Sequence, residues 1–261
     1  MNALDEVFAR ARAEDRGALI GYLPAGYPDL PTSVAAVQAL AEEGVDVVEV
    51  GVPYTDPLMD GPVVEQAASA ALAAGFRLAQ TFDLVRAVRE AGAVPVVMAY
   101  WNPVLRYGPE RFAADLAAAG GAGMITPDLV PDEGAAWMAA AGAHDLATVF
   151  LVAPSSTSER LAMTAQACRG FVYVASTMGV TGVRDTVGDS ALTLVERTRA
   201  VTDLPLAVGL GVSTGDQAAQ VAGFADGVIV GSALVRALTA DPSLEALRAL
   251  TRELAAGVRR G

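Results

Sequence analysis

The 261-residue sequence contains no lysine, one histidine, His144, and one cysteine, Cys168. Its 18 basic residues are therefore all arginine. Without a lysine amine the chain cannot form a Schiff base with a substrate. One histidine and one cysteine cannot build a His- or Cys-based zinc site. No intrachain disulfide can form, which favours a reducing, cytoplasmic location. Carboxylates, tyrosines and backbone amides are the groups left for proton chemistry.

The charge balance is strongly acidic. The 30 acidic and 18 basic residues give a net charge of −12, which argues against binding to nucleic acid and to anionic membranes. The longest stretch without charge, 91–105, has 15 residues and two prolines, too short and too interrupted for a transmembrane helix. Residues 1–16 lack the apolar segment of a signal peptide. We therefore expect a soluble, cytoplasmic protein with no nucleic-acid or membrane partner.

Short runs rich in β-branched residues alternate with longer helical stretches along the chain. The runs are almost continuously apolar, which is typical of strands buried on both faces of a sheet. Their alternation with helices indicates a parallel sheet with helices outside it. Eight strands are predicted, at 18–23, 45–51, 94–99, 122–126, 146–152, 171–175, 206–209 and 227–230.

Eight strand–helix units in about 250 residues are typical of a (β/α)8 barrel. The hydrophobic content of 53% is sufficient for a large core. We predict that residues 1–261 form a single-domain (β/α)8 TIM barrel with an extra N-terminal helix. A doubly wound open sheet is the alternative, but no GxGxxG or Walker A pattern follows the first strand.

Two carboxylates mark the second predicted strand and its loop. Glu49 lies inside the apolar strand, on the same face as Val47 and Gly51. A buried carboxyl has a raised pKa, as general acid/base catalysis near neutral pH requires. The alternative is a structural glutamate paired with an arginine of the helix layer. Asp60, in the following loop, could fold back over the strand end, where the active sites of such barrels lie.

Two glycine-bearing turns follow the seventh and eighth predicted strands. The first contains Gly209 and Gly211, and the second contains Gly231 and Ser232. Loops at these positions often bind phosphate in barrels, with a helix N-terminus directed at the anion. We expect Ser232 to cap that helix. The loop 176–188 is either a lid that closes over substrate or an ordinary surface loop.

Distinctive motifs occur at 49–62, 98–103, 127–128, 179–182 and 231–232. Taken together, these five segments resemble the tryptophan synthase alpha-subunit family. The 49–62 segment is the most specific of them, and the resemblance covers the whole chain in the family's order. The sequence departs from the common pattern at Tyr27, where aspartate is frequent, and at Thr177 and Met178, where many members have an arginine.

The resemblance implies cleavage of indole-3-glycerol phosphate to indole and glyceraldehyde 3-phosphate, a lyase reaction of tryptophan biosynthesis. It implies Glu49 and Asp60 as the catalytic pair, with no metal and no cofactor in this chain. It also implies that indole passes to a pyridoxal-phosphate (PLP)-dependent beta subunit in an α2β2 heterotetramer. The implied phosphate-binding residues are Gly182, Gly211, Gly231 and Ser232. The candidate pocket residues are Tyr22, Val64, Met98, Tyr100, Ile125, Tyr173, Thr181 and Leu210, for which ordinary barrel core is the alternative.

Three other functions are compatible with parts of this pattern. A free-standing indole-3-glycerol-phosphate lyase would keep the chemistry without a partner. A non-catalytic regulatory subunit would keep only the phosphate site, although the presence of both Glu49 and Asp60 argues against it. An isomerase barrel acting on a phosphosugar is disfavoured because the chain lacks lysine and because His144 precedes a strand rather than following one.

Overall fold

Eight parallel strands close into a barrel in the computed structural model, which describes residues 2–176, 189–209 and 211–261. The strand order follows the chain order, and the last strand pairs with the first. The predicted (β/α)8 barrel is confirmed, and every predicted strand end lies within two residues of the observed one. The strands are β1 (Ala18–Pro24), β2 (Val47–Gly51), β3 (Val94–Met98), β4 (Gly123–Thr126), β5 (Ala147–Val152), β6 (Val172–Ala175), β7 (Leu206–Gly209) and β8 (Gly227–Val230).

Helices surround the barrel, and one of them precedes the first strand as the sequence predicts. Within the described residues, no helix is both long enough and apolar enough to span a membrane. Short 3-10 turns lie at Leu78–Gln80 and Pro131–Glu133. The α-helices are α1 (Ala3–Ala13), α2 (Leu30–Glu42), α3 (Pro62–Ala73), α4 (Thr81–Glu90), α5 (Trp101–Tyr107), α6 (Pro109–Ala119), α7 (Ala135–Ala143), α8 (Ser158–Ala167), α9 (Asp189–Arg199), α10 (Gly215–Ala222), α11 (Ser232–Ala240) and α12 (Glu245–Gly257).

Alternate residues of each strand serve two different cores. One core lies between the sheet and the helices and contains Val48 of β2. The other fills the barrel interior and contains Ile20, Val47, Val96 and Val149 from four different strands. Because successive strand residues point to opposite faces, the continuous apolar runs of the sequence supply both cores at once.

Helix α1 closes the barrel at the N-terminal ends of the strands. Its apolar face, which includes Leu4 and Phe8, packs into the interior core, and the Phe8 ring lies 5.5 Å from that of Phe171, just before β6. Asn2 begins the helix with a capping box and donates from Nδ2 to the carbonyl of Ala122 at 3.0 Å. The interior is thereby sealed at this end, which leaves the C-terminal ends of the strands for a binding site.

A buried ion pair fastens this sealed end. The Arg16 guanidinium and the Asp46 carboxylate approach to 2.7 Å, and both side chains are less than a tenth exposed. Asp46 also accepts a hydrogen bond from the backbone N–H of Leu19 at 2.9 Å. The hydrogen bond to Asp46 raises the pKa of Arg16 above its ordinary value. Because Arg16 lies just before β1 and Asp46 just before β2, the pair joins the starts of two neighbouring strands.

Candidate active site

Glu49 projects from β2 into the barrel interior. Val47, two residues earlier, belongs to the interior core, whereas Val48 belongs to the outer one. By the alternation of strand side chains, Glu49 therefore faces inward. In the sheet register it lies level with Tyr22 of β1 and Val96 of β3. The alternative of a glutamate paired with an arginine of the helix layer does not fit this orientation.

The surroundings of Glu49 keep its carboxyl group neutral. The residue is 1% exposed, and neither carboxyl oxygen has a hydrogen-bond partner among the described residues. An ionised carboxylate in such a place loses hydration without compensation. Burial accordingly raises the pKa of Glu49 from 4.5 to about 8. At neutral pH the group is mainly protonated and can donate a proton.

Asp60 comes to the same place from the loop between β2 and α3. Its Oδ1 accepts a hydrogen bond from the hydroxyl of Tyr100 at 3.0 Å. Burial raises the pKa of Asp60, the hydrogen bond from Tyr100 opposes that rise, and the negative charge of Glu65 adds to it. Unlike Glu49, Asp60 thus has a polar partner that favours its ionised form.

A cavity of about 420 Å³ opens at the C-terminal end of the barrel and holds both carboxyl groups. This volume is in the range of small-molecule sites. Much of the wall is apolar and includes Val64 of α3, Met98 of β3 and Leu151 of β5. Two carboxyl groups in different environments therefore face a largely apolar cavity that is large enough for a small-molecule ligand.

Tyr22 forms one wall of the cavity, and Gly51 makes room for it. A Cβ atom on Gly51 would lie 2.4 Å from both Cε2 and the hydroxyl oxygen of Tyr22, so any side chain at this position would force the Tyr22 ring to move. On its other side Tyr22 lies against Gly231, where a Cβ would be 3.5 Å away. Burial is the main cause that raises the pKa of Tyr22, and the nearby charges of Asp60 and Glu49 raise it further. Tyr22 therefore stays a neutral phenol beside both carboxyl groups.

A second tyrosine, Tyr173 of β6, lies over another glycine. A Cβ on Gly209 of β7 would come within 2.8 Å of the Tyr173 hydroxyl. The two residues belong to paired strands, β6 and β7. Burial raises the pKa of Tyr173, with smaller contributions from Glu49 and Asp60. Glycines at the ends of β2 and β7 thus leave room for the rings of Tyr22 and Tyr173 at the cavity wall.

The far side of the cavity is built from the turns after β7 and β8. Gly211, Gly231 and Ser232 line it, and Gly211 has a φ of +74°, which favours glycine. Helix α11 begins at Ser232, with Gly231 as the residue that precedes it. The prediction that Ser232 caps this helix is wrong, because Ser232 is itself the first helical residue and the described residues supply no side-chain cap. The first-turn amides remain available to an anion.

Metal binding is not suggested by the described part of the chain. Among those residues, no group of three or more His, Cys, Asp or Glu side chains converges as a metal ion would require. The two carboxyl groups of the cavity are instead surrounded by tyrosines and apolar side chains.

Comparison with known proteins identifies the family. A sequence model described as "Tryptophan synthase alpha chain" matches residues 8–259. The chain belongs to the tryptophan synthase alpha-chain family. As an alpha chain it is an enzyme subunit, a lyase that catalyses the alpha reaction, so the predicted family and enzyme class are confirmed.

Relatives with this name match nearly end to end. The tryptophan synthase alpha chain of Mycobacterium avium (strain 104) is 62% identical over 256 residues, which cover 98% of this chain and 94% of that one. A structure of Mycobacterium tuberculosis tryptophan synthase superposes with a TM-score of 0.93 at 61% identity, covering 99% of this chain and 98% of that chain. The alpha subunit from Legionella pneumophila str. Paris superposes with a TM-score of 0.89 at 31% identity, covering 99% and 98%.

The structure brings most of the predicted alpha-chain site residues to one cavity. Two predicted residues take other positions. Ile125 is fully buried in the apolar interior and does not line the cavity. Tyr100 lies behind the cavity wall and contacts two lining residues, Asp60 and Met59. Thr181, Gly182 and Leu210 lie outside the described residues. The predicted residues that line the cavity are Tyr22, Glu49, Asp60, Val64, Met98, Tyr173, Gly211, Gly231 and Ser232.

Sequence reasoning missed part of the apolar wall. Leu151 is level with Tyr173 in the register of β5 and β6, and Ile229 is level with Gly209 in that of β7 and β8. Counting inward positions on every predicted strand would have found both of them. The wall residues not assigned to the pocket from sequence are Met59, Gly61, Leu151, Ala153, Pro154, Ala175, Ser176, Gly209 and Ile229.

Proposed function

We propose that this chain, with residues 1–261 acting as one domain, cleaves indole-3-glycerol phosphate to indole and glyceraldehyde 3-phosphate by acid/base catalysis. Glu49 is the proton donor, and Asp60 is the electrostatic partner. The observation that carries the proposal is the buried, unbonded Glu49, whose pKa is raised to about 8, facing a cavity that also holds Asp60.

The two sides of the cavity suit the two ends of this substrate. The apolar side, with Val64, Met98 and Leu151, suits an indole ring. The glycine turns and the N-terminus of α11 suit a phosphate dianion, which backbone amides and the helix dipole stabilise. Since the chain has no lysine, backbone groups are the main means of holding that phosphate.

The reaction is a retro-aldol cleavage in which the substrate itself accepts the electrons. Glu49 donates its proton to C3 of the indole ring, which gives a positively charged indolenine. The hydroxyl on the adjacent glycerol carbon then loses its proton, the bond from that carbon to C3 breaks, and the electron pair restores neutral indole while the carbon becomes an aldehyde. Glu49, just deprotonated, is the base that takes the hydroxyl proton. Neither an imine between the substrate and a lysine nor an electron-accepting cofactor is needed for this reaction.

Asp60 stabilises the charge that develops in this reaction. An ionised carboxylate beside the indole N–H forms a charge-assisted hydrogen bond that strengthens as the ring becomes positive. The hydroxyl of Tyr100 supports the ionised form of Asp60. In this proposal the two acids act in opposite protonation states, with Glu49 as the proton donor and Asp60 as the carboxylate.

A beta subunit that carries PLP is the proposed partner, in an α2β2 assembly. Leu58 is 78% exposed and Leu105 is 54% exposed, which is unusual for large apolar side chains. Met59 and Val130 are also exposed. All four follow the C-terminal ends of β2, β3 or β4 and therefore lie on the same side of the barrel as the cavity. A partner docked on this face would receive indole from the cavity directly.

Indole release from indole-3-glycerol phosphate by the purified chain tests the proposal. We expect turnover by the chain alone and a strong increase when the beta subunit is added. Turnover that the beta subunit does not change would favour the free-standing lyase. Absence of turnover in both conditions would overturn the proposed function.

Two conservative variants test the roles of the carboxyl groups. Glu49→Gln should fold, bind substrate and lose cleavage by several orders of magnitude, because an amide cannot donate the proton. Asp60→Asn should bind substrate but turn over slowly, because its charge is gone. Retained turnover in Glu49→Gln would exclude Glu49 as the acid, and an unimpaired Asp60→Asn enzyme would exclude the electrostatic role of Asp60.

A further inference from the structure

Tyr100 makes two hydrogen bonds to one loop. It lies between β3 and α5 and is 4% exposed. Its hydroxyl donates to Oδ1 of Asp60 at 3.0 Å and accepts from the backbone N–H of Met59, also at 3.0 Å. One side-chain atom therefore holds both the carboxylate of Asp60 and the backbone just before it.

The ring of Tyr100 is itself held by its neighbours. It packs against the ring of Tyr54 with centroids 5.3 Å apart, and the Tyr54 hydroxyl accepts a hydrogen bond from Asn102 at 3.2 Å. The next backbone amide, that of Trp101, donates to Asp128 after β4 at 2.9 Å. The loops that follow β2, β3 and β4 are therefore connected through Tyr100 and its neighbour Trp101. The hydroxyl of Tyr100 therefore has little freedom to move.

We propose that Tyr100 is a positioning residue that orients Asp60 for the reaction and fixes the loop that carries it. This proposal rests on the proposed function. Tyr100 does not line the cavity, so it acts on substrate through the two lining residues that its hydroxyl contacts, Asp60 and Met59. Met59, whose amide it binds, also belongs to the exposed apolar face of Leu58, Met59, Leu105 and Val130. Tyr100 thus connects that face to a reacting group.

The charges around Asp60 show why an orienting donor matters. Tyr22, Glu49 and Tyr173 face it from β1, β2 and β6, and Glu65 lies near it on α3. None of these supplies a positive charge. Among the described residues, Tyr100 is the only side chain that donates a hydrogen bond to Asp60. Burial raises the pKa of Tyr100, so its hydroxyl keeps its proton and remains a donor.

Tyr100→Phe removes the hydroxyl and keeps the ring that packs on Tyr54. We expect kcat to fall by about tenfold or more, as for loss of a hydrogen bond to a charged group, with a smaller change in KM. Because the lost hydrogen bond favours the ionised form of Asp60, the acidic limb of the kcat profile should move to higher pH. Tyr107→Phe is the matched control, since Tyr107 also donates to a carboxylate, Asp115 at 2.6 Å, but does so away from the cavity. That variant should keep wild-type kinetics.

A double-mutant cycle with Asp60→Asn separates positioning from a general loss of structure. If Tyr100 acts through Asp60, Tyr100→Phe should cost much less in the Asp60→Asn background than in the wild type. Amide hydrogen exchange gives a reading that does not depend on activity: the Met59 amide should lose protection in Tyr100→Phe and keep it in Tyr107→Phe.

The positioning role of Tyr100 can be refuted separately from the proposed function of the chain. Wild-type kcat and an unchanged acidic limb in Tyr100→Phe would overturn it, and so would an equal loss of kcat in both backgrounds. If Tyr100→Phe is too unstable for kinetics, unchanged protection of the Met59 amide under native conditions would still contradict it. Absence of turnover in the wild-type chain, with and without the beta subunit, would instead overturn the proposed function.

Discussion

Replacing Glu49 by glutamine should change how the stability of the protein depends on pH. The substitution keeps the size of the side chain and removes its ionisation. Burial raises the pKa of Glu49 from 4.5 to about 8 in the folded protein, whereas the carboxyl is hydrated in the unfolded chain. The difference between the two states makes the free energy of unfolding sensitive to pH through this single group.

The magnitude follows from the size of the shift. Each pKa unit corresponds to about 1.4 kcal/mol, so the whole shift corresponds to about 5 kcal/mol. As pH rises above about 4.5, the unfolded chain releases the proton while the folded protein retains it until about pH 8, which favours unfolding across that window. The contribution of Glu49 to stability is therefore fully present below about pH 4.5 and is lost as pH rises through about 8. In Glu49→Gln this loss of stability with rising pH is absent, because glutamine does not ionise.

Urea unfolding of wild type and Glu49→Gln at about pH 5.5 and about pH 7.5 measures the effect. The free energy of unfolding of the variant, relative to wild type, should rise by about 2.5 kcal/mol between these pH values. A penalty for burying the amide is independent of pH and cancels in this comparison. Glu110→Gln, an exposed position on α6, is the control and should show a smaller pH dependence. A constant difference between Glu49→Gln and wild type would refute the raised pKa.

Three further predictions concern rate, cavity shape and the sealed end of the barrel. Turnover should decrease above about pH 8 as Glu49 loses its proton, and a pH–kcat profile without a basic limb in that region would contradict its role as acid. Gly51→Ala should lower kcat/KM while the circular dichroism spectrum stays native, because the new methyl group would lie 2.4 Å from the Tyr22 ring. Gly142→Ala is the control, since no neighbouring atom lies within 4 Å of the added methyl group, and it should keep wild-type kinetics. Equal kinetics of the two variants would show that the position of Tyr22 is unimportant. Arg16→Met should destabilise the protein by about 3 kcal/mol in urea unfolding, because it removes the buried partner of Asp46 and leaves that carboxylate only the exposed guanidinium of Arg10 at 3.3 Å. Arg86→Met at an exposed pair with Asp83 should cost less than about 1 kcal/mol, and similar losses in the two variants would argue against a special role of the buried pair.

The strands and the carboxyl pair were predictable because they depend on local pattern. A continuous apolar run identifies a strand buried on both faces wherever its side chains point. Glu49 is conspicuous because it interrupts such a run. The motif at 49–62 then placed Asp60 near it, and the loop does carry Asp60 to the same cavity.

Features that depend on contacts between distant elements were not accessible in this way. The sequence predicts Tyr100 as a pocket residue, but the loop after β2 places Asp60 between Tyr100 and the cavity. Ile125 faces the interior as expected for a barrel residue, yet it does not reach the cavity. Ser232 was expected before the first turn of α11, and it lies one position further on. In each case the residue lies close to its predicted position, but the packing of distant elements decides whether its side chain reaches the cavity or begins the helix.

The central claim is that Glu49 is a protonated acid at neutral pH and donates its proton to the substrate. Carbon-13 NMR of protein labelled at the glutamate side-chain carboxyl, with Glu49→Gln used to assign the resonance, measures its titration directly. We expect the Glu49 signal to have the chemical shift of a protonated carboxyl at about pH 7 and to titrate near pH 8. A Glu49 signal that is already ionised at about pH 5 to 6 would contradict it.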